Sequence, residues 1–174
     1  MKDAPQNHGS PAAAAMSPAK GLLVLGGLVV VIGAFLWITH LLGITEVWVA
    51  FLFLLYWAGL DHAQMEMLPK AVVGAAVGLL IAYSLQQLPL SMGNTGLGVF
   101  LAIILVLVYF QIVGWLTLAV NMSTMLFLTV GTIPPIQATF NFPALLMALG
   151  AGIIYFVGLV WLAMRLQKKA PAGN

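Results

Sequence analysis

Runs of apolar residues long enough to cross a bilayer take up most of this sequence, and they leave it few ways to fold. The first, Gly21–Leu42 (GLLVLGGLVVVIGAFLWITHLL), already exceeds the roughly 20 apolar residues that a membrane helix needs. Charged residues make up 6% of the chain and hydrophobic ones 63%, whereas a soluble domain is about a quarter charged. A chain with so few polar groups cannot cover a surface in water. The composition predicts an all-α integral membrane protein whose first partner is the lipid bilayer.

The same scarcity excludes several functions. Six Lys and Arg residues, scattered along the chain, raise the pI to about 9.1 but are too few for a nucleic-acid surface. The absence of cysteine rules out disulfides, thiol catalysis and thiolate metal sites. No nucleophile–base pair, phosphate loop or zinc motif is present, so neither an enzyme nor a cofactor is expected. His40 has no second histidine on a membrane helix to share a haem with. His62 and Glu66 are four apart and would share a face on a helical turn, yet two ligands do not make a metal site.

Six helices are predicted. They are Gly21–Leu42, about Glu46–Leu60, Pro69–Gln87, about Thr95–Leu116, about Met122–Ile133 and Pro143–Arg165. The second is about 22 Å long at 1.5 Å per residue, short for a hydrocarbon core of about 30 Å, and the fifth is shorter still. Pro89, Gly93 and Asn94 predict a polar turn over Leu88–Asn94. The stretch Leu97–Ile133 is too long for one span and must break near Gly114 or at Asn121–Thr124, where Asn121 or Ser123 would serve as an N-cap. Pro134-Pro135 ends the fifth helix, since neither can donate a backbone N–H.

Residues 1–20, rich in Ala and Pro, read as a disordered cytoplasmic tail. Residues 21–167 read as a single membrane domain and 168–174 as a basic cytoplasmic tail. The Gly21–Leu42 run is longer than a signal-peptide core of about 7–15 residues, so it is taken as a retained helix. Lys2 and Lys20 before the first helix, with Arg165, Lys168 and Lys169 at the end, place both termini in the cytoplasm. The five tryptophans, Trp37, Trp48, Trp57, Trp115 and Trp161, fall near predicted helix ends, where indoles favour the headgroup region.

A shift of 74 residues lays Leu68–Ser84 on Phe142–Gly158, with Pro69 on Pro143 and Gly78 on Gly152. The same shift lays the first helix on the fourth without a gap and the two short helices on each other. Two repeats follow, about 21–88 and 95–165. Each holds three helices, an odd number, so the second must sit inverted in the membrane. Gly74 and Gly78 on the third helix, and Ala148 and Gly152 on the sixth, form small-residue faces. These two helices are expected to pack intimately, either within one chain or at an oligomer seam.

Charge is concentrated in the connection Tyr56–Lys70 (YWAGLDHAQMEMLPK), which holds two of the four acidic residues. Ionisable groups inside membranes are expensive and usually mark pathways or proton relays, whereas in an ordinary cytoplasmic loop such charges are simply solvated; both readings are open for this connection. Asp61, His62, Gln64 and Glu66 are therefore pathway or solute-binding candidates, as are Gln137 and Asn141 in the loop at the corresponding place of the second repeat. Asn121, Ser123 and Thr124 form a further polar set that could line a path or cap a helix. Glu46 suits the positive end of the second helix.

The segments containing WAG and LPKAVVGAAVGLL, STMLFLTVGT, and FPALLMALGAGIIYFVGLVW resemble the YcdZ-like family of small bacterial inner-membrane proteins, over most of the chain after residue 40. The resemblance implies a bacterial inner membrane and a compact helical fold, and brings no active residues with it. The expected protein is a multi-pass inner-membrane channel or transporter for a small polar or neutral solute, acting as a homo-oligomer. The alternative is an accessory or assembly subunit of a larger membrane complex.

Overall fold

The computed structural model describes residues 17–169, and the side chains of residues 17–167. The predicted tails therefore lie largely outside the described residues, although Pro18–Lys20 and Lys168–Lys169 are helical. The chain divides into two units, residues 1–38 and 39–174. Among the described residues all regular structure is helical: α1 Pro18–Leu41, α2 Trp48–Leu54 continuing as a π-helix over Leu55–Leu60, α3 Leu68–Met92, α4 Asn94–Val113, α5 Met122–Gly131, the short α6 Pro134–Ala138, and α7 Phe142–Lys169. Four of them, α1, α3, α4 and α7, are long and apolar enough to cross a membrane; Trp48–Leu60 and Met122–Gly131 are shorter apolar helices. In the first unit, the α1 residues Leu22–Val30 expose their apolar side chains.

The second unit is built around α3, which is about 37 Å long. α5 lies parallel to it. Asn121 at the start of α5 bonds the Lys70 carbonyl and Ser123 the Ala71 carbonyl, while Gly131 at its end meets Ala82. α7 runs the other way. Its first residue, Phe142, stacks on Tyr83 at 5.2 Å, and Met164 reaches the turn that leads into α3. α2 is parallel to α7, with Ala50 against Gly152 and Phe51 near Phe156. α4 folds back on α3 through a single residue, Gly93.

That tight reversal replaces the predicted polar turn. α3 continues through Pro89 to Met92, and the Gly93 N–H caps it by donating to the Pro89 carbonyl at 2.9 Å. A positive φ of 60° at Gly93 is a conformation glycine reaches without a Cβ penalty. Membrane helices tolerate an internal proline because neighbouring groups satisfy the freed carbonyl. α4 ends at Val113 and is capped by Gly114, also left-handed at φ 73°, so the break expected near Gly114 occurs there and Trp115–Ala119 form turns. α5 opens with the expected Asn121 cap, and Pro134 begins a new short helix after the old one stops.

The small-residue faces are used, but not against each other. A Cβ added at Gly78 would sit 2.5 Å from the Thr124 carbonyl oxygen and 2.8 Å from the Phe127 Cβ; one at Gly152 would sit 2.5 Å from the Ala50 Cβ. Each long helix thus seats one of the two short helices, whose thin backbones fill the groove that glycine leaves. On α3 the buried residues are Ala71, Gly74, Ala75, Gly78, Leu79 and Ala82. On α7, Leu145, Ala148, Leu149, Gly152 and Phe156 are buried, each 74 residues beyond a buried position of α3. On the short helices the buried Val49, Ala50, Phe53 and Trp57 stand in the same register with buried Ser123, Thr124, Phe127 and Gly131. Outward, α4 presents Leu101, Leu105 and Ile112 and α7 presents Met147 and Ile154, all exposed.

Candidate functional site

The charged connection begins where α2 loosens into its π-helical turn. The Asp61 N–H donates to the Tyr56 carbonyl at 3.2 Å, and the Ala63 N–H reaches back to the Trp57 carbonyl at 2.9 Å. Closing that longer loop takes two consecutive left-handed residues, His62 at φ 51° and Ala63 at φ 54°, a conformation that costs non-glycine residues roughly 1–2 kcal/mol each. The Trp57 indole holds the turn from the other side by donating from Nε1 to the Gln64 carbonyl at 3.0 Å. Trp57 is fully buried, so it is not the headgroup anchor that its sequence position suggests. Because the turn is left-handed, His62 and Glu66 do not share a helical face.

His62, Gln64 and Glu66 are exposed and Asp61 is half-buried. An open cleft of ≈ 410 Å³ is lined by His62, Ala63, Gln64, Met65, Glu66 and Met164. Burial raises the Asp61 carboxyl above its ordinary range, against the opposing pull of His62 and Lys70. A carboxyl raised in the folded state holds its proton to higher pH than in the unfolded chain. Between the ordinary value, near pH 4 or about 3.9, and the raised one, the native state binds more protons, so stability falls as pH rises through that window. Melting temperatures across acid pH should show that fall for the wild-type protein, and Asp61→Asn should flatten it. An unchanged slope in the variant would assign the effect to other groups.

Asn121, Ser123 and Thr124 lie at the same end as Lys70, turned into the fold. Asn121 Oδ1 accepts from the Ser123 and Thr124 N–H groups at 2.9 and 3.3 Å. Its Nδ2 faces the carbonyls of Lys70, Thr117 and Leu118 at 3.0–3.1 Å. Thr124 Oγ1 accepts from the Asn121 N–H and donates to the Ala119 carbonyl, and Ser123 Oγ donates to the Ala71 carbonyl at 2.9 Å. Three carbonyls on one side and two N–H groups on the other fix the amide's orientation. This set caps α5 and ties it to the first turn of α3.

Gln137 and Asn141 lie at the opposite end. Gln137 Nε2 donates to the Ala82 and Gly131 carbonyls at 3.0 and 2.6 Å, and Asn141 Oδ1 accepts from the Ala144 N–H at 3.3 Å. From Lys70 to Ala82 the two ends stand about 18 Å apart along α3. Glu46 lies before α2 and accepts from Trp48 Nε1 at 2.9 Å, and His40 is exposed. A second hollow of ≈ 260 Å³, lined by Leu60, Met122, Met125, Leu126 and Thr129, is apolar except for the Thr129 hydroxyl, which donates to the Met125 carbonyl. Among the described residues no group of three or more His, Asp or Glu side chains could hold a metal ion.

Trp57 and Met164 belong to this end of the molecule without having been marked by the sequence. Trp57 sits four residues before Asp61, a spacing that only the π-helical turn makes significant, and nothing near Met164 in sequence points to the turn. No family model, curated protein or solved structure matches the chain.

Proposed function

We propose that the chain is a six-span protein of the bacterial inner membrane, built as two inverted three-helix repeats (about 21–88 and 95–165), and works as a channel or transporter for a small polar or neutral solute. One observation carries the reading. Gly78 of α3 seats Thr124 of α5, and the positions 74 residues away, Gly152 and Ala50, seat each other. A contact that returns with its partners exchanged is the mark of a two-fold relation. The related helices α3 and α7 are antiparallel, so the axis runs across them and lies in the membrane plane, as in transporters built from inverted repeats. The short α2 and α5 are then the corresponding elements of the two halves, and the Asp61–Glu66 and Gln137–Asn141 connections are the two mouths. The close approach of the helices at Gly78 and Gly152 supports placing the path in a homo-oligomer. The resemblance to the YcdZ-like family supports the inner membrane, and the basic residues at both ends support cytoplasmic termini.

Topology is tested by placing single cysteines at Gln64 and at the exposed Ala138 in this cysteine-free chain, then treating intact cells with a membrane-impermeant thiol reagent. Only the Ala138→Cys variant should label. Labelling of both, or of Gln64→Cys alone, overturns the arrangement. Transport is tested with proteoliposomes of the purified chain under osmotic challenge with water, urea and glycerol. At least one should equilibrate severalfold faster than in protein-free vesicles.

The accessory-subunit reading is favoured by a different observation: Asn121, Ser123, Thr124 and Gln137 all spend hydrogen bonds inside the fold. Unaccelerated proteoliposomes, together with a stoichiometric partner on gentle extraction, would establish it in place of transport.

A further inference from the structure

The cleft beside the left-handed turn has a donor set that the charged residues alone do not convey. His62, Met65 and Glu66 of the turn and Met164 of α7 all line it. A histidine and two methionines thus line one open cleft of ≈ 410 Å³ together with Gln64 and Glu66, and neither lysine nor arginine is in the lining. Thioether sulfur is a soft, polarisable donor that selects Cu(I) among biological metals, and imidazole suits the same ion, whereas harder cations want carboxylates, carbonyls and water. Zinc sites draw on Cys, His and carboxylate donors and take at least three from the protein; this cleft offers only His62 and Glu66 of that kind. We propose that the cleft binds a single Cu(I) ion through His62, Met65 and Met164, with Glu66 supplying compensating negative charge.

The backbone supports a ligand role for this turn. A π-helical stretch inside an α-helix is frequent at functional sites, and non-glycine residues held left-handed persist only where their surroundings over-determine them. Both occur here in succession, at Leu55–Leu60 and at His62–Ala63. Trp57 holds the turn through its carbonyl and its indole, so the donors on the turn are carried by a fixed backbone. The site goes beyond the channel reading and does not depend on it: an accessory subunit could carry it equally.

The test uses the purified full chain in detergent, competing with a chromophoric Cu(I) chelator under reducing conditions, with Ag(I) as a redox-inert second probe. The wild-type protein should take one equivalent from the chelator. Met65→Leu/Met164→Leu, a volume-conserving pair, and His62→Gln should each weaken binding by about tenfold or more, roughly 1.4 kcal/mol, with melting unchanged. Met122→Leu/Met125→Leu, which alters the other methionine-lined hollow, should bind as wild type. The proposal is overturned if the wild-type chain takes no Cu(I), or if the Met65/Met164 pair binds unchanged. It also fails if the Met122/Met125 pair loses as much affinity, or if Zn(II) displaces the ion from the cleft.

Discussion

Gly78→Ala, the smallest substitution available, should destabilise the protein by about 1–3 kcal/mol, the range for overpacking a filled core. Its methyl group would meet the Thr124 carbonyl oxygen at 2.5 Å, the Phe127 Cβ at 2.8 Å and the Leu128 nitrogen at 3.0 Å. Two of those three atoms are backbone, so no rotamer change relieves the clash and α5 must move as a body. Gly152→Ala should cost a similar amount, since the added methyl would lie 2.5 Å from the Ala50 Cβ and 2.9 Å from its Cα. The two cases differ in their remedy. Ala50→Gly removes the nearest atom facing Gly152 and should recover part of the loss, whereas no side-chain deletion removes the Thr124 carbonyl that faces Gly78. Gly158→Ala is the control: nothing lies within 4 Å of its added methyl, and replacing glycine within a helix should be neutral or gain up to about 1 kcal/mol. Thermal unfolding in detergent measures all four. Equal melting temperatures for Gly78→Ala and Gly158→Ala would mean that the seam is looser than its spacing implies.

The sequence carried the parts of this fold that depend on local chemistry. Composition and run length marked the long helices, Asn121 marked the start of α5, Gly114 the end of α4 and Pro134 the stop after α5. The offset of 74 was legible because Pro69 and Gly78 recur as Pro143 and Gly152. What was not legible depended on partners distant in the chain. Small-residue spacing shows that a face can be approached closely, but not by what: α3 and α7 touch where Tyr83 stacks on Phe142, yet their glycine faces seat α5 and α2. Pro89 reads locally as a break, yet α3 runs through it because α4 packs back on the Leu88 and Pro89 backbone at Gly96. The candidate site divides the same way. Its charged residues stand out in a chain almost without charge. Trp57 and Met164 are ordinary apolar residues in the sequence, and only the π-helical turn and the course of α7 bring them to Asp61–Glu66. Polar residues were the least decipherable, because a side chain that lines a path and one that caps a helix have the same composition.

Asn121→Leu distinguishes those two roles, and it should be among the most damaging single changes in the chain. It removes both acceptor bonds at the start of α5, a loss of about 0.5–2 kcal/mol for an N-cap. It also strips a donor from the carbonyls of Lys70, Thr117 and Leu118, but these bonds are exposed, so water replaces the amide and the further loss is at most about 1 kcal/mol. The combined loss should be about 1–3 kcal/mol. Asn121→Asp separates the halves: its carboxylate still accepts from Ser123 and Thr124 but turns a second oxygen toward three carbonyls, so the α5 cap survives while the tie to α3 fails. Hydrogen exchange should then quicken at the start of both α3 and α5 in the leucine variant, and mainly in the first turn of α3 in the aspartate variant. Ser123→Ala, which removes only the bond to the Ala71 carbonyl, should cost about 1 kcal/mol. If the chain transports as proposed and these residues line the path, Ser123→Ala should alter solute flux in proteoliposomes at unchanged folded yield. Since the hydroxyl is buried and already bonded across the α3–α5 seam, the expected result is reduced stability with flux per folded molecule unchanged.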